Sequence, residues 1–260
     1  MKYLAFPLAL CVAACASTPS EKLQGADYYF EEGQKALEKN RCLEASEHFK
    51  RLVSNFPGSR RVAEAQFLLA EAHFCNRDWV NAAFEYQRIV DIYPSSEWAV
   101  EAQFKVGESY FKQLRRPELD QKETFEALTA FRNFIEDQPD SPLADQARER
   151  IVECRGRLAQ KQYLSGRLYH KQGHLDAAKM TYEEILREYP DVGEWYYTTL
   201  FRMGEIAHEQ GDVDLAVRYW KEVLQDSGDP ELVEGVQKHL SGLSQSPAKD
   251  AAHRRHRRQF

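Results

Sequence analysis

The chain has 260 residues, 43% of them apolar and 29% charged, enough to bury a core and solubilise its outside. Its net charge of −6 is uneven: the last twelve residues carry +4 and Lys2 another +1, which leaves about −11 on residues 3–248. An acidic body argues against a nucleic-acid binder, whose footprint is a basic face.

The chain opens with Lys2 and an apolar run over residues 3–14, too short to cross a bilayer as a mature helix. A positive start, a short apolar stretch and small residues before a cysteine make a secretory signal, placed at 1–14. Val12-Ala13-Ala14-Cys15 resembles the lipobox of bacterial lipoproteins. That resemblance implies cleavage before Cys15, a diacylglycerol on its thiol and a lipidated linker over 15–25. Cys11 does not qualify, because Leu10 precedes it. Ala16, standing where an aspartate would retain the chain in the inner membrane, implies sorting to the outer membrane. An ordinary cleaved signal beside a chance cysteine is the alternative.

From residue 26 the sequence repeats. Glu64-Ala65-Gln66-Phe67 returns as Glu101-Ala102-Gln103-Phe104. Ala45, Ala82, Ala127, Ala178 and Ala216 are each followed four residues on by Phe49, Tyr86, Phe131, Tyr182 and Trp220. Pro57, Pro94, Pro139 and Pro190 close the first four units, and Gly33, Ala70, Gly107, Gly166 and Gly204 mark the first helix of each. Small residues let two helices approach closely, the aromatic fills the space beside them, and the proline ends the second helix. The pattern is that of the tetratricopeptide repeat. It predicts an all-α superhelix of five helical hairpins, at 26–57, 63–94, 100–139, 145–190 and 196–228.

Two places break the period. Extra residues around 113–122 fall between the helices of unit three, and residues 143–171 read as one helix, ~43 Å long at ~1.5 Å per residue. A capping helix is expected at 230–243, because such arrays must cover their last apolar face. From Ser244 the polar, basic tail reads as disordered.

No catalytic constellation is expected, and no cofactor or metal site. There is no Gly-rich phosphate loop, no Ser-elbow and no HExxH. His170 and His174 lie four apart, but Gly173 sits at the expected turn between helices. Cys42, Cys75 and Cys154 lack metal spacing. Free thiols are the expectation for them, with a Cys42–Cys75 bridge as the minority alternative, since those helix ends should be neighbours. First helices of this repeat line the concave side. Registering them aligns Phe30, Phe67 and Phe104, then Leu37, Phe74 and Phe111 seven residues on, with Glu64, Glu71, Glu101 and Glu108 beside them. This reads either as a peptide groove or as core, because helical spacing cannot separate the two.

Taken with Phe56-Pro57, Tyr93-Pro94-Ser95-Ser96, the insert Leu119-Asp120-Gln121-Lys122-Glu123-Thr124 and Gln138-Pro139-Asp140-Ser141-Pro142 ahead of the long helix, the chain resembles the BamD family over about 26–230. The resemblance implies an outer-membrane lipoprotein scaffold of the β-barrel assembly machinery, facing the periplasm. Its partners would be the barrel-forming assembly subunit and unfolded outer-membrane protein clients, with the membrane held through lipid and no nucleic acid. The Arg-rich tail and the late Pro230 have no counterpart in that pattern. A secretin pilotin or a YbgF-type envelope coordinator is the alternative, although ten residues between Cys15 and the first unit leave no room for the coiled coil of the latter.

Overall fold

The computed structural model describes residues 24–256, with side chains to residue 243. Among the described residues there are eleven α-helices and no strand. Ten pair into five antiparallel hairpins: α1 (Ala26–Glu38) with α2 (Cys42–Asn55), α3 (Val62–Cys75) with α4 (Trp79–Ile92), and α5 (Ala99–Phe111) with α6 (Lys122–Asp137). Then come α7 (Ala144–Lys171) with α8 (Leu175–Glu188), α9 (Gly193–Glu209) with α10 (Val213–Asp226), and a last helix, α11 (Pro230–His256). Each helix packs on the next, and first helices also touch directly: α5 with α7, α7 with α9 and α9 with α11. Such contact marks them as an inner layer. The chain is a tetratricopeptide-repeat array.

The repeated residues do what their sizes allow. The five alanines and the five aromatics that follow them are wholly buried. A Cβ on Gly33 would stand 2.7 Å from the Phe49 ring, and one on Gly107 2.7 Å from Phe131. Each aromatic thus fills the space left by a missing side chain, and burying one contributes roughly 1.5–3 kcal/mol. The prolines act one residue early. Phe56, Tyr93, Gln138 and Tyr189 stand before Pro57, Pro94, Pro139 and Pro190 at φ between −124° and −133° with ψ near 50°. Proline bars the helical conformation from its predecessor, so four helices stop at the same point. Hairpin turns carry one left-handed residue each at Asn40, Arg77, Gly173 and Gly211.

In unit three that tight turn is replaced by the insert, which is pinned and not free. Gln121, almost fully buried, donates from Nε2 to the carbonyls of Arg116 and Leu119. From α7, Arg157 donates to the Arg115 carbonyl at 2.6 Å and Lys161 to that of Leu119 at 2.6 Å. The 28-residue helix α7 serves two units. Its first half holds Arg150 against Glu108 of α5, and its second half stacks Tyr163 on Tyr182 of α8.

Two expectations are corrected. Cys42 and Cys75 are not free thiols: a disulfide joins the start of α2 to the end of α3, with Cα atoms 5.8 Å apart. That separation lies at the preferred value for a bridge. Cys154 is free and buried, and burial pushes its thiol up to about 12, followed by the field of Glu153. The last helix does not stop at the expected cap limit of residue 243, since α11 is Pro230–His256.

Candidate functional site: the inner helix layer

The aligned aromatics divide. Phe30, Phe67 and Phe104 are core: each is buried and meets its own hairpin's aromatic, Phe49 at 5.9 Å, Tyr86 at 5.6 Å and Phe131 at 5.6 Å between ring centroids. The groove reading fails for these three. Leu37, Phe74 and Phe111 are half-buried at the inner surface, and Glu101 is exposed.

The remaining carboxylates are not open to a ligand. Glu64 pairs with Arg61 at 3.1 Å. Glu71 accepts a hydrogen bond from the Tyr86 hydroxyl and pairs with Lys105 at 2.8 Å. Burial, and then the Glu71 charge, drive the Tyr86 hydroxyl far above its ordinary value. Glu108 is buried and pairs with Arg150 at 2.6 Å. Burial works against the Arg150 charge, but hydrogen bonds to Glu108 and Glu153 outweigh it.

These cations recur in a pattern the sequence reading missed. Arg61 lies 3.2 Å from the centre of the Phe30 ring, Lys105 5.1 Å from Phe74 and Arg150 4.6 Å from Phe111. At these three junctions, from unit one to unit four, a base thus lies over an aromatic of the preceding unit, a contact worth roughly 0.5–2 kcal/mol. In all three cases that base also pairs with a glutamate: Arg61 with Glu64, Lys105 with Glu71 and Arg150 with Glu108. Arg150 could not be found by spacing, because it lies in the half of α7 that carries no repeat motif.

Past this ladder, at the middle of α7, a cleft of about 440 Å³ opens between the end of α5 and the start of α9. Phe111 and Leu114 form one wall, Val192 and Trp195 the other, and Gly156 and Val152 the floor. The junction is fixed by Arg155, which donates through Nε to Asp191 at 2.8 Å and through Nη2 to the Glu188 carbonyl at 2.7 Å. That hydrogen bond holds the Asp191 carboxyl below its usual range.

His170 and His174 do not act together: His170 meets Glu209 at 3.1 Å, and His174 lies past the left-handed Gly173, at the cap of α8. Cys15 lies outside the described residues. Among the described residues no helix is long and apolar enough to cross a membrane.

Five such hairpins with an ion-paired inner layer define a tetratricopeptide-repeat protein. The family model described as "YfiO: Outer membrane lipoprotein" matches residues 24–223, which run through all five hairpins nearly to the end of α10. The chain belongs to that family of outer membrane lipoproteins. No curated relative matches it in sequence. Similar solved structures include MamA from Desulfovibrio magneticus RS-1, 16% identical over 78% of this chain and 97% of that one, TM-score 0.35. The TPR2AB domain of yeast Sti1 is 12% identical over 78% and 77%, TM-score 0.42. A tetratricopeptide-repeat protein of Thermus thermophilus is 15% identical over 83% and 99%, TM-score 0.35. The fold assignment rests on the hairpins above and not on these likenesses.

Proposed function

We propose that the chain is a BamD-type scaffold of the β-barrel assembly machinery, tethered through lipid on Cys15 to the periplasmic face of the outer membrane. In this reading it binds the barrel-forming subunit and unfolded outer-membrane protein clients, and works by positioning them, without catalysis. The observation that carries the reading is the family match over 24–223, which spans both departures from the repeat period. Fusing the halves of the array through one 28-residue helix also supports it, because a continuous helix holds two binding faces at a fixed distance. Units three to five are the proposed dock for the barrel-forming subunit.

The test is affinity purification of the full chain from detergent-solubilised outer membranes, with partners identified by mass spectrometry. Recovery of the barrel-forming subunit is expected. Recovery of a secretin in its place, or of no barrel-forming subunit, overturns the reading. Deleting 115–119, and separately charge-reversing the exposed Arg148 and Glu149, should reduce that recovery in variants that remain folded. Undiminished recovery places the dock elsewhere.

A further inference from the structure

We propose that the Cys42–Cys75 bridge is a site of thiol–disulfide exchange, opened by the dithiol of a partner oxidoreductase that attacks Sγ of Cys75. The inference goes beyond the scaffold reading and does not rest on it. The two half-cystines differ in access. Cys75, the last residue of α3, is exposed, whereas Cys42, the first residue of α2, is only 9% exposed. A nucleophile arriving from solvent therefore meets Cys75 first, since exchange requires access to the sulfur attacked. Exposed cations flank the bridge, Arg41 beside Cys42 and Arg77 two residues past Cys75, and they favour the approach of a thiolate.

The helices that carry the two sulfurs set the direction of bond breaking. Attack forms a bond from the dithiol sulfur to Cys75 Sγ and breaks the bond to Cys42, whose sulfur leaves with the electron pair. That sulfur belongs to the first residue of a 14-residue helix, where the amides of the first turn favour a thiolate. Arg41, at the N-cap, lays no side-chain cap over those amides, and it holds the Glu44 carboxylate of the same turn at 3.3 Å. Attack at Cys42 would instead leave a thiolate on Cys75, at the carbonyl end of α3, which opposes negative charge. The better-stabilised thiolate departs faster. His73, one turn back in α3, is paired with Asp78 at 3.2 Å. In the second step the other thiol of the dithiol attacks its own partner sulfur and releases Cys75. Each freed cysteine takes a proton, so the bridge gains two electrons and two protons while the dithiol becomes a disulfide. The turn accommodates the reduced pair as well. Asn40 Oδ1 lies 3.6 Å from Cys42 Sγ and 3.2 Å from Cys75 Sγ, an acceptor within reach of both thiols.

The experiment treats the oxidised full chain, folded in detergent, with excess glutathione as the attacking thiol. Acid stops the reaction early, N-ethylmaleimide then caps free thiols, and tryptic peptides are read by mass. Cys42 and Cys75 fall in different peptides. Glutathione should sit on Cys75 at least about tenfold more often than on Cys42, as access and leaving group both require. Sub-denaturing urea should leave the rate of opening unchanged, because the attacked sulfur is already exposed in the folded chain. Thioredoxin with serine in place of its second active-site cysteine should be captured on Cys75 in the same way. Glutathione shared equally between the cysteines, or found mainly on Cys42, overturns the proposal. So does a rate that climbs with urea, which would mean that the bridge opens only by unfolding, or a failure to capture thioredoxin.

Discussion

Arg77 turns the chain between α3 and α4 at φ +59°, where the other hairpin turns use asparagine or glycine. A side chain with a Cβ costs roughly 1–2 kcal/mol in that left-handed conformation, and asparagine escapes part of the cost by bonding locally. Arg77→Gly should therefore raise stability by up to about 1 kcal/mol, the rest being lost to the greater freedom of glycine when unfolded. Urea unfolding reads this directly, and no gain would mean that the arginine side chain holds the turn together. Gly107 makes the opposite case. Helix propensity alone favours alanine there by about 1 kcal/mol. Yet the added Cβ would sit 2.7 Å from a Phe131 ring that is wholly buried and has nowhere to go. Overpacking costs about 1–3 kcal/mol, so Gly107→Ala should lower the urea midpoint. A higher midpoint would show that the close approach of the helices is not needed.

Among elements, the disulfide ties the terminal hairpin to the next one. Among the described residues hairpin one has a neighbour on one side only, which makes it ready to fray in a stacked array. Closing a loop across a sequence separation of 33 stabilises by about 3–4 kcal/mol on the chain-entropy estimate. Cys42→Ser with Cys75→Ser should speed hydrogen exchange in α1 and α2 before it changes in α9 and α10. Uniform exchange rates across the array, as in the parent, would deny the bridge that role. The hairpins themselves were legible because each rests on a local contact with a fixed spacing: a small residue facing an aromatic, and a proline ending the helix. The bridge was only half legible, since adjacency of helix ends follows from the repeat but the direction of two Cβ vectors does not. The split of the phenylalanines was illegible, because rows seven residues apart share one helical face, whether it meets core or surface. The cleft was hidden for a further reason: it joins Phe111 to Trp195 through the non-repeating half of α7.

At the scale of the molecule, an array with no helix apolar enough to span a membrane, among the described residues, needs some other hold on the outer membrane where its family resides. On the proposed reading, lipid on Cys15 of Val12-Ala13-Ala14-Cys15 is that hold. Ten residues lie between that cysteine and α1, and at ~3.3–3.6 Å each they can span at most about 35 Å, so in this reading hairpin one would stay near the bilayer surface. Each buried methylene of an acyl chain contributes ~0.8 kcal/mol, and a single chain gives only marginal binding, whereas the several chains of a lipoprotein hold firmly. Cys15→Ala removes all of them at once while leaving every described residue unchanged. The variant should leave the membrane fraction under an alkaline wash, which strips chains held by protein contacts but not those held by lipid. The parent should remain. The wash matters because a scaffold bound to a membrane partner would sediment with it even when unlipidated. A Cys15→Ala chain that stays with the outer membrane as tightly as the parent after that wash would overturn the assignment of the anchor.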